Sequence, residues 1–163
     1  MTVLLTIFLS LLLFLPGNVP NLPAATFGAT PGVGEQAPDF TLATMQGKKV
    51  TLSALTAKTP VVLVVLRGYP GYQCPLCNLQ VRDFIKNSAG FAEAGVRVLL
   101  VYPGPGEKLD ERAKEFLMDK QLPENFDLVL DPDYEFTNLY GLRWDAPKET
   151  AYPSTFQIGR AHV

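Results

Sequence analysis

The clearest chemical signal in the chain is its pair of cysteines, which lie three positions apart in Cys74-Pro75-Leu76-Cys77. A thiolate is a nucleophile and a metal ligand, and two thiols this close can also form a disulfide. Zinc would need two further ligands, and the only histidine is His162. A purely structural disulfide would close so short a loop that it would restrain little of the unfolded chain. The spacing therefore favours a redox-active pair over a zinc site or a structural disulfide.

The residues around the pair predict the elements that position it. Residues 61–66 are six consecutive apolar residues, a run typical of a strand buried on both faces. After the loop 67–73, Pro75 favours the first position of a helix predicted over residues 75–88. Cys74 would then lie at the helix N-terminus, where free N–H groups and the helix dipole stabilise a thiolate. We expect Cys74 to attack and Cys77, one turn further in, to resolve the mixed disulfide or sulfenic acid.

The remaining pattern predicts the α/β class. Short strands at residues 38–42 and 48–52 are expected to pair as a hairpin at the edge of a sheet. Further strands are predicted at residues 96–102 and 126–130 and from Tyr152 onward, and further helices at residues 110–120 and 133–140. Strands alternating with helices imply a mainly parallel sheet covered on both faces. Pro153, at the first position of the last strand, predicts a cis peptide bond.

Charge and hydropathy indicate the compartment and exclude one class of partner. With 14 basic and 16 acidic side chains and a net charge of −2, the chain has no basic stripe for nucleic acid. Residues 3–15 are an uncharged apolar run, and their helix length of about 20 Å falls short of a hydrocarbon core of about 30 Å. We therefore predict that residues 1–30 are a signal peptide or an uncleaved membrane anchor, with a buried core segment as the third alternative. Export to a periplasmic or other extracytoplasmic compartment follows, and no cofactor or metal is predicted.

The last six residues are predicted to be foreign to the protein. Residues 158–163 back-translate to ATC GGA AGA GCA CAC GTC, which resembles a sequencing-library adapter read in frame, and a natural short tail is the alternative. On the adapter interpretation His162 carries no function and the folded domain, residues 31–157, is incomplete. The last strand and helix of the fold would then be missing, which would leave a sheet edge exposed and prone to association.

Two segments resemble the AhpC/TSA family, the alkyl hydroperoxide reductases and thiol-specific antioxidants. Residues 33–42, VGEQAPDFTL, resemble the opening of the family, and residues 67–77, RGYPGYQCPLC, resemble the active-site segment of its peroxiredoxin-like branch with a Cys-x-x-Cys pair. The resemblance covers residues 33–157. It implies a thioredoxin-like fold with a central mixed sheet flanked by helices, and reduction of hydroperoxides or protein disulfides with electrons from a thioredoxin-like donor.

The same resemblance also marks where this chain differs from the family. Standard members carry Thr or Ser three residues before the peroxidatic Cys, where this chain has Gly71, and an Arg just before the last strand, where it has Tyr152-Pro153. Losing two such donors would weaken stabilisation of the breaking O–O bond. Pro153 instead matches the proline that lies beside the Cys-x-x-Cys pair of thioredoxins and lines their substrate groove.

Two enzymatic functions and one non-enzymatic function remain as hypotheses. A thiol peroxidase would use Cys74 as nucleophile and Cys77 as resolving thiol, whereas an exported thiol-disulfide oxidoreductase would use the same pair on protein disulfides. A binding module with a structural disulfide would tolerate replacement of both cysteines. Arg67, Tyr72 and Pro153 are the predicted supporting residues. Roles for three further side chains are open against surface exposure or loop packing: Tyr69, Arg143 and Trp144.

Overall fold

The computed structural model of the chain describes residues 28–160. Its helices and strands alternate along the described part of the chain. In chain order they are β1 (Thr41–Thr44), β2 (Lys49–Thr51), α1 (Leu52–Thr56), β3 (Val61–Val65), α2 (Pro75–Lys86), α3 (Ser88–Glu93), β4 (Arg97–Gly104), α4 (Leu109–Leu117), β5 (Phe126–Pro132), α5 (Glu135–Leu139) and β6 (Ser154–Ile158). Between residues 28 and 160, no helix has both the length and the apolar character needed to cross a membrane.

The strands form one mixed six-stranded sheet in the order β2-β1-β5-β4-β3-β6. The central strands β3, β4 and β5 are parallel, whereas β1, β2 and β6 pair antiparallel with their neighbours. The predicted α/β fold with a central mixed sheet flanked by helices is therefore confirmed, as is the hairpin at its edge.

Alternation along β3 explains why the sheet is covered on both faces. Val61, Leu63 and Val65 belong to one apolar cluster, which also holds Phe136 and Tyr140. The intervening side chains of the strand point the other way and join a second cluster, where α2 and α4 pack. Both cysteines of the motif belong to this second cluster. A strand buried on both faces thus positions the helix that carries the cysteine pair.

The structure differs from the sequence-based predictions at three places. The short helix α1 follows β2 directly and was not predicted. The helix predicted over residues 75–88 ends at Lys86, and α3 begins after Asn87, whose φ of −96° and ψ of 14° interrupt the regular helix. The predicted cis bond before Pro153 is wrong, because every peptide bond in the described part of the chain is trans. The amide of Tyr152 donates to the carbonyl of Leu142, so extended backbone leads into β6 with Pro153 just before the strand.

Most of the predicted N-terminal segment lies outside the described residues, and so do the last three residues of the predicted tail. Ile158, the first residue of the predicted tail, continues β6 and is buried. The strand pairs only with β3 and forms one edge of the described sheet. A groove of about 600 Å³ runs beside it, lined by residues 31–35, Ala37 and residues 155–159. β6 is thus an edge strand of the described sheet, whereas the origin of the tail and the incompleteness of the domain stay predictions.

Candidate active site

Cys74 caps the N-terminus of α2, as the sequence predicted. Its backbone is extended (φ −61°, ψ 115°) and Pro75 takes the first helical position. In this conformation the Cys74 Sγ accepts a hydrogen bond from the backbone N–H of Cys77 at 3.4 Å. Cys74 and Cys77 are not joined by a disulfide in this structure. An amide N–H aimed at the sulfur would stabilise a thiolate there.

Cys77 lies one turn further along α2, in the same apolar cluster as Cys74. Its side chain is 3% exposed, against 5% for Cys74, and its Sγ accepts the backbone N–H of Arg67 at 3.4 Å. Burial, reinforced by the hydrogen bond with Cys74, raises the pKa of Cys77 to about 12. Cys77 therefore remains a thiol at neutral pH. This asymmetry suits a resolving cysteine better than an attacking one.

Two glycines shape the loop between β3 and Cys74. Gly68 has a φ of 74°, and a Cβ on it would overlap the carbonyl oxygen of Pro103. Gly71 has a φ of 115°, and a Cβ on it would have no neighbour within 4 Å among the described residues. A Thr or Ser at position 71 would be strained by that backbone even though there is space for it. The presence of Gly71, where standard family members have Thr or Ser, thus agrees with the backbone conformation of the loop.

Arg67 lies at the start of this loop and is held on several sides. Its Nε donates to the Glu149 carboxylate at 3.0 Å, and its Nη1 donates to the Tyr72 hydroxyl at 2.8 Å. The guanidinium lies 5.5 Å from the centre of the Tyr72 ring and 5.7 Å from that of Trp144. Glu149 thus compensates the charge of Arg67, and Arg67 fixes the Tyr72 side chain two residues before Cys74.

The loop 143–152 covers Arg67 from the other side. The Trp144 and Tyr152 rings stack 4.7 Å apart with an angle of 6° between their planes. The Arg143 guanidinium donates to the carbonyls of Trp144 and Thr150, so it holds the loop rather than acting as a solvated surface cation. The Thr150 hydroxyl in turn donates to the carbonyl of Arg67. This loop therefore belongs to the site through backbone contacts as well as through Glu149.

The structure brings the predicted Arg67 and Tyr72 together and leaves Pro153 at the border of the site. Pro153 is exposed and directly precedes β6. A hydrogen bond of 3.2 Å from the Gln80 amide to the Thr155 hydroxyl links the start of that strand to α2. Tyr69 packs elsewhere, under the Arg112 guanidinium at 4.1 Å from its ring centre.

Sequence reasoning missed two side chains of the site. Glu149 compensates Arg67 from 82 positions away, and no spacing rule links residues at that separation. Gln73 stands next to Cys74, and its amide makes hydrogen bonds to β4 and α4. The only available signal for Gln73 was its position beside a predicted nucleophile.

The surface around the cysteine pair is unusually apolar. Leu76, between the two cysteines, is 76% exposed, and Leu79 is 64% exposed. Tyr72 and Tyr152 are each 48% exposed. Exposed apolar side chains that are grouped on one surface are a feature of docking sites.

Comparisons with known proteins add a family assignment to this geometry. The model of the AhpC/TSA family matches residues 33–163. A protein of Haemophilus influenzae named as a peroxiredoxin, bcp, is 33% identical over 116 residues, which cover 71% of this chain and 68% of that protein. The crystal structure of peroxidoxin BcpB from Mycobacterium tuberculosis superposes with a TM-score of 0.62 at 22% identity, covering 79% of each chain.

A second structural likeness extends beyond the peroxidases. A secreted disulfide oxidoreductase of Mycobacterium tuberculosis superposes with a TM-score of 0.56 at 20% identity, covering 76% of this chain and 78% of that one. At such identities the superpositions show the fold alone, which these peroxidases and disulfide oxidoreductases share.

Proposed function

The chain belongs to the AhpC/TSA family, and from this premise we propose that it is a peroxiredoxin-like thiol peroxidase that uses Cys74 as nucleophile and Cys77 as resolving thiol. The Cys74 thiolate attacks one oxygen of a hydroperoxide, the O–O bond breaks, and the alcohol leaves after taking up a proton. The resulting Cys74 sulfenic acid condenses with the Cys77 thiol, which forms the disulfide and releases water. A dithiol donor of the thioredoxin type returns the two electrons.

One observation carries this assignment of roles: the two thiols of the pair differ in their surroundings. Cys74 caps the helix, and its sulfur faces the Cys77 N–H. Cys77 is more buried, and its pKa is raised to about 12. A thiol that stays protonated does not compete for peroxide, yet it lies one helical turn from the sulfur that it must resolve.

Arg67 and Tyr72 are proposed to supply part of the stabilisation that the missing Thr would provide. The Tyr72 hydroxyl oxygen accepts from Arg67, so its own proton is available to donate to a bound peroxide. A donor held in place before reaction stabilises the charge that develops as the O–O bond breaks. Pro153 is proposed to contribute to the rim of the site rather than to the chemistry.

The test is the rate at which the reduced protein consumes hydrogen peroxide, followed together with the loss of the Cys74 thiol. We expect a rate orders of magnitude above that of free cysteine, and Cys74→Ser should abolish it. Cys77→Ser should still react once and then accumulate the sulfenic acid, detected as a dimedone adduct by mass spectrometry. A wild-type rate equal to that of free cysteine would refute the peroxidase assignment.

The second candidate, a thiol-disulfide oxidoreductase, is favoured by one observation, the apolar surface around the motif. Such a surface suits a protein substrate as well as a protein donor. If the peroxide test fails, reduction or oxidation of a disulfide-bonded protein by the same Cys74 becomes the activity to measure.

Export is proposed from the apolar run at residues 3–15 and the Pro- and Gly-containing stretch behind it. Expression of the full chain in a Gram-negative host, followed by cell fractionation and N-terminal mass analysis, tests this. A shortened protein in the periplasm is expected. Full-length protein in the cytoplasm would contradict export.

A further inference from the structure

Gln73, the residue directly before Cys74, uses its whole side-chain amide in hydrogen bonds. Its Oε1 accepts the hydroxyl proton of Tyr102 at 2.9 Å. Its Nε2 donates to the backbone carbonyl of Arg112 at 3.0 Å and to the Glu115 carboxylate at 3.3 Å. The amide therefore joins the entrance of α2 to the central strand β4 and to the covering helix α4.

The partners of this amide are well suited to hold it in one orientation. Tyr102 is 1% exposed, and burial raises its pKa above the ordinary value, so its hydroxyl stays protonated and donates. The Arg112 carbonyl belongs to the backbone of α4 and cannot move without the helix. Reversing the Gln73 amide would place its oxygen against the Arg112 carbonyl and the Glu115 carboxylate, acceptor against acceptor.

The loop before Cys74 needs such an anchor. Gly68 and Gly71 both have positive φ angles, and glycines leave a backbone with more conformational freedom than other residues do. The first turn of α2 carries no acidic side chain, and its cap is the Cys74 sulfur itself. Sulfur is a weak hydrogen-bond acceptor, so the cap alone holds the extended conformation of Cys74 only weakly.

We propose that Gln73 is a positioning residue that keeps Cys74 in the capping conformation, in which its sulfur faces the Cys77 amide, and so sets the reactivity of the Cys74 thiol. Gln73 acts through the backbone of Cys74 and does not contact the substrate. The inference rests on the proposed function only in taking Cys74 as the reactive thiol.

The experiment measures alkylation of Cys74 by iodoacetamide in the Cys77→Ser protein across a range of pH, because this readout needs no peroxide and no donor. Gln73→Leu should slow alkylation at pH 7 by about fivefold to tenfold, the size expected for losing helix N-terminal stabilisation. Tyr102→Phe, which removes one hydrogen bond and keeps the buried ring, should slow it by about twofold to threefold.

Gln80→Leu is the matched control. It too replaces a glutamine by leucine, here one that lies on α2 and donates to Thr155, but it leaves the Gln73 network intact. Alkylation in this variant should equal that of the parent. In the Gln73→Leu background, Tyr102→Phe should have no further effect, because both substitutions break the same hydrogen bond.

Urea unfolding of each variant separates positioning from stability. A Gln73→Leu protein that is folded, less stable and alkylated at the parental rate would overturn the proposal. If Gln73→Leu does not fold, alkylation of Tyr102→Phe at the parental rate would overturn it instead. A slow peroxide rate in the wild type, with the alkylation effect present, would refute the peroxidase function and leave this inference intact.

Discussion

At the residue scale, the hydrogen bonds of the two sulfurs explain how neighbouring thiols come to differ. Cys74 receives an N–H from within its own helix, whereas Cys77 receives one from Arg67 in the loop after β3. The second contact ties Cys77 to that loop, and burial disfavours its anion. This difference supports the proposed roles, attack by Cys74 and resolution by Cys77.

The raised pKa of Cys77 predicts that resolution accelerates with pH. Burial holds the pKa of Cys77 far above neutral, so only a very small fraction of this thiol is ionised at pH 7, and that fraction rises with pH. After oxidation with one equivalent of peroxide, disulfide formation should therefore speed up steadily from pH 6 to pH 9. Stopped-flow fluorescence of Trp144, the only tryptophan, or quenched samples analysed by mass spectrometry would follow it. A rate independent of pH in this range would contradict ionisation of Cys77 as the limiting step.

The hydroxyl of Tyr72 is predicted to matter more than that of Tyr69. Tyr72→Phe removes the group held by Arg67 and should lower the second-order rate with hydrogen peroxide by about tenfold, since a positioned donor is lost. Tyr69→Phe is the matched control, because the Tyr69 ring packs under Arg112 and its ring contact is retained. Equal rates in the two variants would remove Tyr72 from the chemistry.

At the element scale, contiguous sequence signals predicted the elements that carry the site. Contacts between residues far apart in the chain could not be predicted in this way. The apolar run of β3 and the proline after Cys74 are contiguous features, so the strand, the loop and the start of α2 follow from them. Gln73 and Tyr102 are 29 positions apart and Arg67 and Glu149 are 82 apart. Such pairs form only when the sheet brings their elements together. α3 was missed for a different reason, because Gly90 predicts the end of a helix and yet lies inside α3.

The Asp131 carboxylate, at the end of β5, is predicted to make stability depend on pH. It is fully buried and accepts the backbone N–H groups of Phe136 and Thr137 at the start of α5. Burial raises its pKa from 3.8 to about 6 despite these bonds. Between those values the Asp131 carboxyl binds a proton more strongly in the folded protein than in the unfolded chain. The contribution of Asp131 to the free energy of unfolding therefore falls by about 3 kcal/mol as the pH rises from about 4 to about 6.

Asp131→Asn tests this by removing the titration. Urea denaturation at several pH values should show that the variant is less stable at low pH but lacks the wild-type decline between pH 4 and pH 6. Asp145→Asn, which replaces a carboxylate whose side chain is 91% exposed, should keep that decline. Parallel curves for wild type and Asp131→Asn would show that Asp131 does not titrate in this range.

At the scale of the whole molecule, the sheet separates the reactive surface from the unpaired edge. The parallel strands β3 and β4 direct their carboxyl ends toward the loop before Cys74, where the apolar rim of Tyr72, Leu76 and Tyr152 surrounds the pair. The free side of β6 and its groove run alongside the sheet instead. A protein donor that docks here, as proposed, would meet an apolar surface at which the charge of Arg67 is compensated by Glu149.

This arrangement predicts that charge on the rim blocks the donor but not the peroxide. A protein dithiol has to approach Cys74 closely enough to form a mixed disulfide, so its surface must cover Leu76 and Leu79. Leu79→Glu should therefore raise the KM for a thioredoxin-type donor by about tenfold, which is the cost of burying an unpaired charge at a small interface, while the single-turnover rate with peroxide stays unchanged. Met118→Glu adds the same charge at another exposed apolar position, 85% exposed, at the C-terminal end of α4 and should leave both steps unaffected. If Leu79→Glu slows the peroxide step as much as the donor step, the substitution perturbs α2 itself. A donor KM unchanged by Leu79→Glu would instead place the docking surface elsewhere on the molecule.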